Sequence, residues 1–374
     1  MVYFVPLCFC GKKNKIMIKA EKIEKFILEL FQKIGCSESD AKTVSKVLLK
    51  AELRGIPSHG LLRIIDYVSL LEKGRINVTP NIKIERETLS TAVVNGDKAL
   101  GMIAGTFAMN LAIEKAKTCG TGWVACSNSN HFGIAGYYAM MALEHDMIGI
   151  TMTNASPLVA PTFSISKMLG SNPLAFAIPA GKQPPFVADF ATTPIAVGKL
   201  NIMSKKGLEC PQGWVQDKDG KTSTDPDILK KDGALLTLGS DYEHGSHKGF
   251  CMSSIVDIFS GVFSGANFGP FVPPSVPYIP ESTEKTGMGT GHFFGAMRID
   301  SFQEASEFKA RMDKWIESFR NAEHAEDKPN VIIPGDPERE NEKRISEQGI
   351  DVHPKILEDV RILVQKFNLV NTLE

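Results

Sequence analysis

The stretch after Pro57 carries the side chains best suited to chemistry. Pro57 and Ser58 introduce a helical segment running to about Gly74, and on it His59, Arg63 and Tyr67 recur at i, i+4 and i+8. On an α-helix this spacing points the three within about 80° of one another, while Leu61, Ile64, Val68 and Leu71 gather about 120° away. The pattern predicts a helix that buries an aliphatic stripe and offers a separate face with an acid/base group, a guanidinium and a phenol. A guanidinium can hold a carboxylate in a two-point grip. A histidine near its ordinary pKa can take a hydroxyl proton as hydride leaves the same carbon, or return it in reduction. Ser58 is placed to orient that histidine or relay to it. Interconversion of a 2-hydroxy acid and its keto acid needs this set, although the same spacing also describes a solvated helix face.

Two further polar clusters are candidates. Ser127-Asn-Ser-Asn-His131-Phe-Gly133 directly follows a strand-like run, and ligands gather at the carboxyl ends of strands. His131 is therefore a second candidate for substrate contact or proton transfer, or else a loop histidine satisfied locally. The following helix could present N–H groups to an anion. His244-Gly-Ser-His247-Lys248-Gly249 precedes an apolar stretch from Phe250 to Phe263. Its H-x-x-H pair has no third ligand nearby, so no metal site is expected. Lys248 and Gly249 at a helix start would suit a phosphate or carboxylate, or form a simple surface loop. The nearest approach to a dinucleotide fingerprint, Gly287-Met-Gly289-Thr-Gly291-His292, has histidine where the third glycine is needed. There is no P-loop and no G-x-S-x-G elbow.

These segments must be positioned by the elements around them. Residues 20–73 read as helical: Ile23, Phe26, Ile27 and Leu30 share one face, and Gly35 closes that helix. Ser37 and Asp40 cap a second, with Ala41, Val44, Val47, Leu48 and Ala51 on its inner face and Gly55 at its end. From about residue 90, strand-like runs (91–94, 123–126, 148–152, 174–178 and 186–188) alternate with helical stretches at 102–117 and 134–145. This reads as α/β or α+β on one sizeable sheet. A helix returns over 302–322 with an apolar stripe of Phe302, Ala305, Phe308, Met312, Trp315 and Phe319. Residues 336–347 read as a solvated loop or surface helix, and a last helix spans about Pro354 to Phe367. The expected division is a helical domain from 17–85 with 301–374, packed on a central domain of 86–300.

Composition narrows the function classes. The 374 residues carry 42 basic and 43 acidic side chains, for a net charge of −1. No basic excess exists to hold a phosphate backbone, so nucleic-acid binding is not expected. The seven cysteines are sparse, with Cys8 and Cys10 as a C-x-C pair and no C-x-x-C. That fits neither structural zinc nor a disulfide framework, and suits a reducing, cytoplasmic compartment. The opening MVYFVPLCFC places its apolar run before the basic residues, the reverse of a signal peptide, and is too short to span a bilayer. Residues 1–16 are expected to be a disordered extension, with Met17 an alternative start; no membrane association is expected.

Taken together, the blocks resemble a known family. Leu53-Arg-Gly-Ile-Pro-Ser-His-Gly-Leu-Leu-Arg63 with Tyr67 is similar to the opening motif of the malate/L-lactate dehydrogenase family of the second type. Its members include malate, sulfolactate and ureidoglycolate dehydrogenases and reductases of diketo acids and cyclic imines. Further blocks follow in order: Ser129 to Gly133, Thr153 to Pro161, Leu169 to Ala175, Asp189 to Thr193 with Gly198-Lys199, Gly245 to Gly249, and Ile333 to Pro337. The resemblance covers about residues 17 to 370. It implies a non-Rossmann α+β fold, a nicotinamide cofactor (NAD, with NADP possible) and a homodimer with its site near the subunit interface. It implies His59 as general acid/base with Ser58 as partner, Arg63 on the substrate carboxylate, and Tyr67 and His131 in the substrate pocket. It implies cofactor contacts at Ala155, Ser156, Asp189, Phe190, Ala191, His247, Lys248, Pro334, Gly335 and Asp336. Cys251 and Asp336 depart from the common glycine and glutamate beside the cofactor region. Lys199 matches the hydroxy-acid branch rather than the imine-reductase branch, where an acidic residue stands. The implied substrate is malate, then L-lactate or sulfolactate; an NADPH-dependent reductase of diketo acids or cyclic imines, and an inactive dimeric binding homologue, are the alternatives.

Overall fold

A computed structural model describes residues 16–277, 279–370 and 373. Strand β1 (Met17–Ile18) leads into α1 (Ala20–Ile34), which buries Ile23, Phe26, Ile27, Leu30 and Phe31 at helical spacing. Gly35 ends α1 in the left-handed conformation, φ 112°, the role read from sequence. Ser37 accepts the Asp40 N–H and opens α2 (Glu38–Leu53), whose Ala41, Val44, Val47, Leu48 and Ala51 are buried. Of the expected extension, residues 1–15, including Cys8 and Cys10, lie outside the described residues.

The expected third helix is broken, and this corrects the first geometric reading. Pro57–His59 and Leu61–Arg63 are separate 3-10 turns, and only Ile64–Glu72 is α-helix (α3). Between them Gly60 adopts φ −105° and ψ −129°, outside the helical basin. Its missing side chain is needed, because a Cβ there would lie 2.6 Å from Glu52 Cδ. Tyr67 does not share an open face with His59 and Arg63; it is fully buried.

The chain continues through β2 (Lys83–Glu87), β3 (Thr91–Asn95), α4 (Gly101–Cys119), β4 (Thr121–Ser129), α5 (Ala135–Met141), β5 (Met147–Thr153), β6 (Leu174–Ile178) and β7 (Phe186–Phe190). Then follow α6 (Val197–Lys206), the short strands β8 (Val215–Gln216), β9 (Thr222–Ser223) and β10 (Ala234–Leu235), α7 (Ser246–Asp257) and β11 (Thr290–Arg298). Helices α8 (Ala305–Arg320), α9 (Asp336–Gln348) and α10 (Pro354–Phe367) close it, with β12 (Ile350–Asp351) between the last two. The main sheet runs β2-β3-β4-β11-β5-β6-β7, and only the β3–β4 pair is parallel. This mixed sheet with helices from both chain ends is the expected α+β class. Strand β2 crosses the boundary expected at 85/86.

One sheet face packs under α4 and α5, burying Val124, Cys126, Ala175, Ala177, Phe294 and Ala296. Across the other face lie α7 and its continuation, a π-helical turn at Ile258–Val262. A second, smaller core under β8, β9 and β10 holds Val159, Leu169, Leu200, Trp214, Val215 and Leu235. No residue of the stripe expected on α8 is buried; the helix buries Ile316, which lay outside that stripe. Instead, α8 works through Asp313, which accepts the Gly181, Lys182 and Gln183 N–H groups. Strands β1 and β12 pair, Met17 opposite Asp351, which brings the chain ends together. Among the described residues the five cysteines are free, and no helix is long and apolar enough to cross a membrane.

Candidate active site

The kinked turn after α2 supplies Ser58, His59 and Arg63, the loop after β4 supplies His131, and Tyr67 rises from α3 beneath them. Ser58 Oγ lies 2.9 Å from His59 Nδ1. The rings of His59 and His131 stack with centroids 5.5 Å apart and planes 24° apart. Tyr67 Oη lies 2.7 Å from His131 Nδ1, and the Gly133 N–H donates to the same nitrogen at 3.4 Å. An atom that receives a backbone N–H is an acceptor. Neutral His131 therefore carries its proton on Nε2, and Tyr67 donates to Nδ1.

Both imidazoles are held neutral. Burial, reinforced by the Arg63 charge, pushes His59 down to about 4. Burial, then Arg63 and His59, push His131 well below the ordinary histidine range. Burial pushes the Tyr67 phenol up to about 12, so it remains a donor.

Arg63 is pinned on two sides. Its Nη1 is 2.9 Å from Asp66 Oδ2, and Nη2 donates to Ser275 O at 2.8 Å and Ser275 Oγ at 3.1 Å. Its Nε is buried with no protein partner. Ser275, which the sequence did not flag, belongs to a strap that follows the 3-10 turn Gly269–Phe271. The Ser275 N–H donates to Ser156 Oγ at 2.9 Å, so the strap ties Arg63 to the block holding Ala155 and Ser156.

Several segments expected at the cofactor are tied to one another. Asn172 Oδ1 accepts the Ala155 N–H at 3.1 Å, and Thr192, just after Ala191, donates through its N–H to Ser171 O. Thr192 O in turn accepts from Leu238, against which Gly249 packs too closely for a side chain. Lys248 thus sits in the first turn of α7, close to the chain that follows β7. Gly198 of α6 lies against Ser58, and a Cβ there would meet Ser58 Cβ at 3.0 Å. Phe190 is 37% exposed. His247 Nδ1 is buried without a protein partner, a donor set still short of one contact. His247 Nδ1 on α7 and Arg63 Nε each leave a polar contact that a ligand could take up.

Two expected contacts are engaged elsewhere. Gly136 donates its N–H to Asp189 Oδ2 at 2.8 Å, so the anion at the start of α5 is the protein's own carboxylate. Burial raises that carboxyl to about 6 against the pull of Gly136 and Arg54. Asp336 is clasped by Arg320 at 2.9 Å and by Arg339. Its turn stays beside the sheet, because the Val187 N–H donates to Pro334 O and Gly335 abuts Val187. His244 is exposed and paired with Asp241, and no cluster that could hold a metal occurs among the described residues.

Neutral stacked imidazoles beside a half-buried guanidinium, on a mixed sheet, bring acid/base groups and a carboxylate binder together. The chain belongs to the malate/L-lactate dehydrogenase family, whose sequence profile matches residues 18–361. It is 39% identical over 355 residues to malate dehydrogenase of Pyrococcus abyssi, covering 95% of this chain and 96% of the relative. It is 36% identical to L-sulfolactate dehydrogenase of Methanocaldococcus jannaschii over 354 residues, 95% of this chain and 98% of the relative. The crystal structure of malate dehydrogenase from Entamoeba histolytica matches with a TM-score of 0.89 at 34% identity, covering 96% and 99% of the two chains. Membership implies a nicotinamide cofactor and a small hydroxy or keto acid as substrate.

Proposed function

We propose that this protein is an NAD-dependent dehydrogenase of malate or a closely similar 2-hydroxy acid, with NADP as the alternative cofactor, working as a homodimer. The observation that carries the reading is the His59–His131 stack with Arg63 beside it. With His59 Nδ1–H donating to Ser58, Nε2 offers a lone pair to the substrate hydroxyl. His131 has the opposite polarity: Nδ1 is occupied, so Nε2–H can donate to the same oxygen. This supports His59 as the proton carrier and His131 as the polarising partner. Arg63, with Nε unpaired, grips the carboxylate. In oxidation the hydroxyl proton passes to His59 and the C2–H electron pair leaves as hydride. A bound nicotinamide supplies the hydride acceptor. His247, Lys248 and the chain around Ala155, Ser156 and Phe190–Ala191 are the residues that would hold it.

The test is an activity grid of L-malate, L-lactate, sulfolactate, a diketo acid and a cyclic imine against both cofactors. Turnover of L-malate with NAD, followed by nicotinamide absorbance, is the expected result. Turnover confined to the imine or diketo acid with NADPH replaces the reading with a reductase. No turnover, and no rise in melting temperature with either cofactor, leaves a binding homologue.

A further inference from the structure

Glu52 is a carboxylate on the apolar face of α2, four residues after Leu48, and is only 5% exposed. Its Oε1 accepts the Leu61 N–H at 2.7 Å, and its side chain fills the space above Gly60. It therefore touches the backbone between His59 and Arg63 at two consecutive residues. Leu61 opens the second 3-10 turn, where an N–H has no partner within the turn, so Glu52 caps that turn from a neighbouring helix.

The cations nearest in the chain or on the facing helix α9 have other partners. Lys50 and Arg54 of α2 pair with Glu342 of α9 at 2.6 and 3.6 Å. Arg339 of α9 holds Asp336 and Pro185 O. Arg63 is taken by Asp66 and Ser275, and His59 by Ser58. No charged residue of α1 is buried, and α4 has none between Gly101 and Ile113. Among the described residues no cation pairs with Glu52.

We propose that Glu52 is the positioning residue of the catalytic turn: ionised, it holds the Leu61 N–H and the gap at Gly60, so that His59 and Arg63 take their working geometry. This rests on the role given to the turn above. A hydrogen bond to a charged acceptor is stronger than one to a neutral acceptor, yet a buried carboxylate with a single donor costs stability. Burial, opposed by the Leu61 bond, raises Glu52 to about 7. His59 and His131 lose their protons at much lower pH. In the protein without substrate, the group of this turn that ionises near neutrality is accordingly Glu52. A carboxyl raised on folding contributes full stability below its unfolded pKa and loses it as pH climbs through the folded value. Activity and stability should therefore run in opposite directions across neutral pH.

The experiment compares the full-length wild type with Glu52→Gln, which keeps shape and acceptor but cannot ionise, and with Glu52→Ala. Melting temperature and the pH profiles of kcat and KM are measured on each. Glu52→Gln should melt above wild type at about pH 8.5, with the difference closing by about pH 5. Its kcat at the higher pH should be roughly tenfold down, the difference between charged and neutral acceptors. The rise in wild-type kcat through neutrality should be absent from it, and Glu52→Ala should lose more activity than Glu52→Gln. An unchanged limb near neutrality in Glu52→Gln overturns the proposal. If wild type turns over no substrate in the grid, the functional reading has failed instead, and melting alone decides on Glu52. A difference independent of pH then sinks it.

Discussion

His59 and His131 stand face to face, and their other contacts give them opposite polarity. Ser58 is the only described partner of His59, whereas His131 receives both Tyr67 and Gly133 on Nδ1. Replacing His59 by Ala should lower kcat by about 10²–10⁴-fold, the usual contribution of a positioned acid/base. The KM for the acid should change little, because the carboxylate is held by Arg63. An undiminished kcat in steady-state assays would hand the proton to His131. For Arg63→Lys the expectation reverses: KM rises by roughly 10–100-fold, from the 1.5–3 kcal/mol of a charged hydrogen bond, with a smaller change in kcat. An ammonium cannot reproduce the forked geometry that reaches Asp66, Ser275 and a substrate at once. Substrate binding also bears on His59 itself, since a carboxylate beside the imidazole raises its proton affinity from the low value set by burial.

At the scale of elements, strand β11 is what the site hangs on and what sequence patterning hid. His292 near its start is fully buried, with Nδ1 2.7 Å from Thr153 Oγ1 and Nε2 2.8 Å from Ser129 Oγ. It also stacks on Phe132 with centroids 4.7 Å apart. It thus fastens the end of β4, which leads to His131, to the end of β5, which leads to Ala155. Burial pushes this imidazole down to about 3. A histidine depressed on folding contributes stability above its unfolded pKa of about 6.5 and loses it as pH falls through the folded value. The raised carboxyls of Glu52 and Asp189 act with the opposite sign, so a single pH–melting curve mixes both. The difference between wild type and His292→Asn isolates the strand: wild type should lead above about pH 6.5, with a margin that narrows toward pH 4. A constant margin would mean that His292 does not stay neutral in the fold.

Helices with a strong 3.6-residue pattern were legible, as α1 ending at Gly35 and α10 spanning Pro354 to Phe367 show, and so was the apolar strand β6 over Leu174 to Ile178. β11 was not, because it begins inside a glycine cluster and buries both Phe293 and Phe294, which erases alternation. β2 was missed because its five residues, Lys-Ile-Glu-Arg-Glu, are all exposed. Periodicity also overran Gly60, since angular spacing assumes the continuous helix that this glycine breaks. Arg63 and His131 stood out by residue type and motif, and the fold brings both beside His59. Glu52 left one usable trace, a carboxylate at a core position of α2. Ser275 left none, because only folding brings the strap to Arg63.

At the scale of the whole molecule, a contiguous apolar ridge stands uncovered among the described residues. The helices α4 and α5 bury their side of the sheet, but across the other side α7 and the π-helical turn show Ile255, Ile258, Val262 and Phe263 at 50–65% exposure. With Phe259 beside them these side chains expose on the order of 500 Å², at the upper end of what a monomer leaves open. A two-fold dimer needs about 800 Å² from each partner, more apolar at its centre than at its rim. The ridge supplies the apolar centre that such an interface needs. The homodimer proposed above should therefore place this ridge at its centre. Sedimentation equilibrium at micromolar concentration should give the mass of two chains. The double substitution Ile258→Glu and Phe263→Glu should shift it to one, because two carboxylates per subunit would be buried against their own copies. A wild type that sediments as a single chain removes the dimer. A double variant that remains paired moves the interface elsewhere, with the open aromatic side of α8, Trp315 and Phe319, as the next surface to test.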